Sequence, residues 1–339
     1  MEMTRRDLMI GVLASAGLSG CAGSSGGPIL QPKSNSIVPF VEGRVTQGSV
    51  VRKTSRPASF TAFSTGEAGQ PWNLVRAADG NLWFLVLRNG LGRITLDGSV
   101  RYFPRSTGKG ILSISAQPDG YVWYCDSEAN LVGRISNSGQ FMQPEIELRR
   151  QSSPSHLTTS ASGEIWVGSV KNGRIWAIAP IGTVRLVEEL TGSYGFATAS
   201  DGTVWAVKSG RLFGIDPSGT IVASTRLPEG IPTRPIVSTT GSVWFSNPER
   251  RSVYRVLEDG DVVAFDVGLA IREISAGSDG SIWGSAESAL FKLSPSGELV
   301  VLSLPDPQFQ PFGVAFGGDG ALWASHPSEK RIARLTVLA

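Results

Sequence analysis

The chain contains two histidines, His156 and His326. Acid–base or metal chemistry that uses imidazole must therefore use these two. A catalytic zinc site usually takes three protein ligands, often histidines. Asp126, His156, Glu287 and His326 belong to four different repeat units, so their spacing does not require them to converge, and no metal site is expected. A Gly-rich phosphate loop, a nucleophile elbow and a His-Glu-x-x-His string are all missing from the sequence. What remains is a mixture of aromatic, imidazole, carboxylate and guanidinium groups suited to a polar ligand pocket with a few stacking faces. The expected ligand-binding set is Trp72, Asp126, His156, Tyr194, Arg234, Arg272 and His326, with Asn73, Glu273, Phe312, Lys208 and Asn247 at equivalent repeat positions. His326, His156 and Arg272 are the candidates for any catalysis. Each has a plainer alternative. His326 precedes Pro327 and could cap a strand end; His156 follows Pro154-Ser155 and could be a surface imidazole. Asp126 lies beside a turn, Arg272-Glu273 could be a local ion pair, and Trp72 could be core.

The elements that must hold these residues are legible from seven tryptophans: Trp83, Trp123, Trp166, Trp205, Trp244, Trp283 and Trp323. Their intervals are 40, 43, 39, 39, 39 and 40 residues, and each follows a glycine by three positions. The first unit divides into four short apolar stretches separated by Asp79-Gly80, Asn89-Gly90 and Asp97-Gly98. Such dipeptides supply the positive φ of tight hairpins. A period near 40 with four strands per unit predicts the blade of a β-propeller, with seven blades in all. In Asn81 to Val86 both strand faces are apolar, as a sheet between two neighbours requires. Each tryptophan is expected to be a wedge between blades. The last unit ends one strand short, and Ser59 to Phe63 (SFTAF) resembles the outer strand Val100 to Phe103 (VRYF). That segment is expected to complete the seventh blade and hide its open edge.

The N-terminus reads as a targeting segment over residues 1–21. Arg5-Arg6 resembles a twin-arginine export signal, an apolar stretch follows, and Leu18-Ser19-Gly20-Cys21 matches a bacterial lipobox. Lipidation at Cys21 would hold the protein at the membrane, and Ala22 favours the periplasmic side of the outer membrane. Residues 22–57 are rich in Gly, Ser and Pro and are expected to be a flexible tether, with the propeller spanning 58–339. With Cys21 lipidated, Cys125 is the one remaining cysteine and is expected to be a small buried hydrophobe. The formal charge is +2, which does not suggest nucleic-acid binding. Basic residues recur on the third strand at Arg93, Arg134, Arg255, Lys292 and Arg334, as inter-blade charges or as a ring of ligand contacts.

The strings LWF and NGLGRITLDGSVRYFP in the first unit, LVGRISNSG in the second and FGIDPSG in the fourth resemble the repeat of the virginiamycin B lyase family. The resemblance runs over residues 59–339. It implies a propeller that opens a cyclic depsipeptide by elimination, with a divalent metal (Mg2+), histidines and glutamates at the channel mouth. At the corresponding places this sequence has Arg272 and Phe312 for histidines, Gln310 for a carboxylate and His326 for a glutamate. The favoured expectation is a monomeric, lipid-tethered propeller that binds a protein, peptide or glycan, without a cofactor. The alternatives are a lyase of the family type, a lactonase-like hydrolase, or an envelope assembly factor.

Overall fold

The computed structural model describes residues 43–337 apart from 88, 106–109, 149–150, 161, 170, 188–192, 231–232 and 234; the side chains of Ser193 and Tyr194 also lie outside the described set. The leader, the lipobox Cys21, the tether up to residue 42, Arg234 and the side chain of Tyr194 thus fall outside it.

Seven sheets follow one another along the chain; blades one to four have their strands in sequence order from the axis outward, and blades five, six and seven each add an outermost strand from residues 45–64. Blade one is Pro71–Arg76, Leu82–Val86, Gly90–Ile94 and Val100–Pro104, all antiparallel. The inner strands of blades two to seven begin at Ile111, His156, Ser193, Ile236, Ile271 and Val314. The glycines three residues before each tryptophan all hold φ between 74° and 88°, a region open to glycine at little steric cost. The seven-bladed reading holds.

Closure is as the sequence suggests. Ser59–Ser64 pairs antiparallel with Arg331–Thr336 along its whole length, from Ser59 against Thr336 to Ser64 against Arg331. Phe63 stacks on Trp323 at 5.7 Å and 22°, as Phe103 stacks on Trp83 at 5.0 Å and 21°. The borrowed strand therefore delivers its aromatic ring to the spot that blade one fills with its own outer strand.

A separate apolar core fills each gap between neighbouring blades, including the gap between blades seven and one. Every repeat tryptophan packs into the gap toward the following blade; Trp83, Trp166, Trp244 and Trp323 are fully buried. Burial of one such ring removes about 150–250 Å² from water, roughly 4–6 kcal/mol as an upper figure. The basic residues of the third strands stand opposite these rings: Arg93 faces Trp83 and Lys292 faces Trp283 in register. Arg93, Lys292 and Arg334 pair at 2.7 Å with Asp79, Asp279 and Asp319 of the Asx-Gly turns. Arg134, Arg255 and Lys292 lie 5.3–5.7 Å from the centroids of Trp123, Trp244 and Trp283. They clip turn to strand in blades one, six and seven and lie on the wedge in blades two, five and six.

Residues 45–55 depart from the expected tether. Val45–Gln47 lies parallel on the outer strand of blade five, Val45 beside Val262. Val51–Ser55 lies parallel on the outer strand of blade six, Val51 beside Glu298. Composition misled because Gly43, Gly48 and Ser49 are corners rather than linkers: a Cβ on Gly43 would stand 1.9 Å from the Gly260 carbonyl oxygen. The β-branched residues between them suit a sheet edge whose backbone groups need partners.

Candidate functional site

The starts of the inner strands and the hairpins between second and third strands share one face; the turns between first and second and between third and fourth strands, Asp79-Gly80 and Asp97-Gly98 in blade one, occupy the other. On the first face the inner strands slip register. The ladder skips from Pro71 to Leu74, from Ile111 to Ser113, from Ser193 to Gly195 and from Ile271 to Glu273. A bulge leaves an extra residue unpaired and re-aims it. The residues skipped by the ladder are Trp72 and Asn73, Leu112, Tyr194 (backbone only) and Arg272.

Blades six, seven and one close together here. Asn73 Nδ2–H donates to Glu273 Oε1 at 2.6 Å, bridging blade one to blade six past blade seven. Trp72 meets Phe312 edge-on at 4.9 Å. Arg272 donates to the Pro311 carbonyl at 3.2 Å and to Gln310 Oε1 at 3.5 Å. All six side chains are half-buried. Beneath them run two fully buried serines. Ser325 Oγ accepts the Gly313 N–H at 2.8 Å and donates to the Trp72 carbonyl at 2.5 Å. Ser285 Oγ accepts the Glu273 N–H at 3.2 Å and donates to the Phe312 carbonyl at 2.5 Å. Each serine satisfies a bulged strand and ties it to the next blade. Sequence reasoning missed these positioning residues, although the signal was visible: serine two places after the tryptophan in blades five, six and seven, and in no other blade.

The expected set therefore separates. Trp72 and Arg272 share the mouth at blades six, seven and one. His326 lies under the connection into blade seven: its Nδ1 accepts the Gln310 N–H at 3.4 Å, its Nε2–H donates to Ser328 Oγ at 2.9 Å, and Phe309 packs edge-on at 5.1 Å. His156 donates from Nε2 to the Phe196 carbonyl at 3.1 Å and packs on the Phe196 ring, in blade four. Asp126 is buried in an ion cluster with Arg105 and Glu145 between blades one and two. Cys125 is fully buried among apolar residues.

His326 is 2 % exposed. Burial, above all, pulls its pKa below the imidazole reference of 6.5; Glu329 pushes it up, and Arg331 and Arg272 push it further down. The unfolded chain takes up a proton near pH 6.5 that the folded chain refuses. Stability contributed by the neutral ring is therefore fully present above that pH and declines as pH falls below it. We expect the melting temperature to drop between about pH 7.5 and 5.5, with a shallower drop in His326→Gln. Equal slopes in parallel thermal melts would contradict this assignment.

The family model described as the virginiamycin B lyase family matches residues 42–267. The chain belongs to the virginiamycin B lyase family. A virginiamycin B lyase of Nocardia farcinica is 27 % identical over 164 residues, 47 % of this chain and 53 % of the relative. The chain thus matches about half the length of that curated relative. The crystal structure of virginiamycin B lyase from Staphylococcus aureus superposes with a TM-score of 0.73 at 22 % identity, covering 83 % of this chain and 99 % of the other. A catalytically inactive histidine-to-alanine variant of the S. aureus enzyme, with quinupristin, gives 0.70 at 21 % identity, covering 83 % and 100 %. These likenesses establish the propeller.

The resemblance to the family implies a divalent cation at the mouth. A guanidinium (Arg272), an amide (Gln310) and an aromatic ring (Phe312) stand at three of the places that the resemblance assigns to ligands. The carboxylate of Glu273 is engaged by Asn73. Both ring nitrogens of His326 are engaged by Gln310 and Ser328. Among the described residues no three His, Cys, Asp or Glu side chains gather to hold a metal ion. A cation brought beside Arg272 would meet like charge in a half-buried setting.

Proposed function

We propose that this member of the family is a lipid-anchored envelope propeller that binds a ligand or protein partner at the mouth formed by blades six, seven and one, rather than a metal-dependent lyase. One observation carries the reading: Arg272, Gln310 and Phe312 fill the mouth with a cation, an amide and a ring, while His326 is turned beneath them and bonded at both nitrogens. Such groups can hold a partner by charge-assisted hydrogen bonds and stacking. None of Arg272, Gln310 and Phe312 is a base that could take the proton α to an ester carbonyl. Cys21 would supply the anchor. Family membership favours the competing lyase reading.

The two readings part in one experiment. Purified protein is incubated with quinupristin, with and without Mg2+, and followed by mass spectrometry beside a family enzyme that opens the ring. The expected result is intact antibiotic with this protein at any metal concentration. Protein-dependent ring opening would overturn the binding assignment. Partner capture from the envelope should in turn depend on the mouth, falling at least about tenfold, 1.4 kcal/mol, in Arg272→Ala with Trp72→Ala; capture that ignores both substitutions would place the interface elsewhere.

A further inference from the structure

The strands on the rim of blades five and six have an unusual charge. Between Glu42 and Glu67 the chain carries four basic residues, Arg44, Arg52, Lys53 and Arg56, and no acidic one. The whole chain has 31 basic and 29 acidic residues, so the rest, with 27 and 29, sums to −2. The positive excess of this protein is thus gathered in one strap. All four side chains are exposed. Two exposed valines lie among them, Val45 at 51 % and Val51 at 60 %.

The strap is fixed in place by backbone bonds rather than by its side chains. It pairs along Val262–Asp266 and Glu298–Ser303, and the Arg44 N–H donates to Asp261 Oδ1 at 2.7 Å. Lys53 Nζ meets Glu298 at 2.8 Å, with both partners about half exposed or more. An exposed pair of this kind leaves the lysine available to a second anion. Backbone pairing holds the strap on the outer edge of the disc, with Arg52 and Lys53 on opposite faces of their strand.

We infer that this strap is a docking surface for the anionic headgroups of a phospholipid bilayer. The chain enters the strap directly from the segment that begins at Cys21, so the inference rests on the proposed lipid anchor for its location. Basic side chains attract an anionic leaflet, and intervening apolar groups settle at the headgroup boundary. A lipid anchor and a basic patch together hold a protein to an anionic surface more firmly than the anchor alone. Docked by the strap, the disc stands on its rim at blades five and six. The channel then runs along the membrane, and the mouth at blades six, seven and one stays open to soluble partners.

The test uses the full chain carrying Cys21→Ser, so that no lipid contributes, and sedimentation with vesicles. One set is phosphatidylcholine alone; the other contains about one third phosphatidylglycerol. The expected result is co-sedimentation with the anionic vesicles only, lost when salt shortens the screening length to about 3 Å near 1 M. The variant Arg44→Gln, Arg52→Gln, Lys53→Gln, Arg56→Gln should bind at least about tenfold more weakly with an unchanged circular dichroism melt. Should that variant unfold, Arg52→Gln with Arg56→Gln reads the same surface without touching the Lys53–Glu298 pair. Absence of binding to anionic vesicles, or equal binding by the neutralised strap, overturns the proposal. Capture by immobilised heparin without vesicle binding overturns it too, in favour of a soluble polyanion. The anchor is scored separately, by whether Cys21→Ser releases the protein from the cell's membrane fraction.

Discussion

A chain beginning at residue 65 will not hold a closed ring, whereas one beginning at residue 57 will. The shorter truncation removes the rim strands and leaves Ser59–Ser64 in place. The longer one also takes the strand that, among the described residues, completes the pairing of Arg331–Thr336 in blade seven. With it go Phe63, stacked on Trp323, and Phe60, edge-on to Phe309 at 5.5 Å. Both rings pack against cores that flank blade seven, Phe63 toward blade one and Phe60 toward blade six. Losing two partly buried aromatics and a six-residue ladder should cost on the order of 5 kcal/mol or more. At roughly 2–4 °C per kcal/mol for chains of this size, the melting temperature should fall by about 10–20 °C. The uncovered edge of Arg331–Thr336 should also pair between molecules. Calorimetry and size-exclusion chromatography of the two truncations read both effects. A monomeric residue-65 chain melting with the residue-57 chain would show that the ring does not depend on this seam.

The seam was readable because its chemistry is local. SFTAF repeats the pattern of VRYF, and the tryptophan that Phe63 must cover is one of seven at regular spacing. The blade framework was legible for the same reason: a glycine with positive φ and an aromatic wedge cannot easily be exchanged for other residue types. The rim strands were not legible. Their partners lie more than 200 residues away, and a Gly/Ser-rich composition describes sharp corners as well as it describes a linker. The mouth was legible in part. Trp72 and Arg272 stand out by residue type, but the bulges that aim them are a property of backbone register. Ser285 and Ser325 carried a positional signal that residue type alone made easy to pass over. The histidines drew attention because imidazoles so often do chemistry. In this fold both have backbone or hydroxyl partners that a stretch of sequence does not reveal.

Asp126 drew attention in the same way, and its surroundings set the other large expected effect. Its side chain is fully buried; Oδ1 accepts the N–H groups of Glu128 and Ala129 at 3.0 and 2.9 Å. Arg105, 7 % exposed, stands 3.4 Å from Oδ2 and 3.0 Å from Glu145, with its guanidinium 5.0 Å from the centroid of the Tyr124 ring. The Tyr124 hydroxyl donates to Glu145. Burial, and then that bond, push the tyrosine well above its ordinary pKa of 10.0, so it stays a donor at any physiological pH. One cation thus balances two carboxylates where blade one hands the chain to blade two. Arg105→Met preserves much of the apolar stem and removes the charge. Two carboxylates are then left without a cation, a change that costs about 3–5 kcal/mol in buried settings. The melting temperature should fall by roughly 10 °C. Adding Asp126→Asn and Glu145→Gln to Arg105→Met should recover more than half of the loss, because a neutral cluster no longer needs the guanidinium. A single variant that melts within about 2 °C of the parent would mean that water already screens the cluster. A triple variant no better than the single would place the loss in packing around Tyr124 instead. Either way the assignment of Asp126 is decided by a melt, since a carboxylate that served a ligand at the channel mouth would leave stability unchanged when Arg105 is replaced.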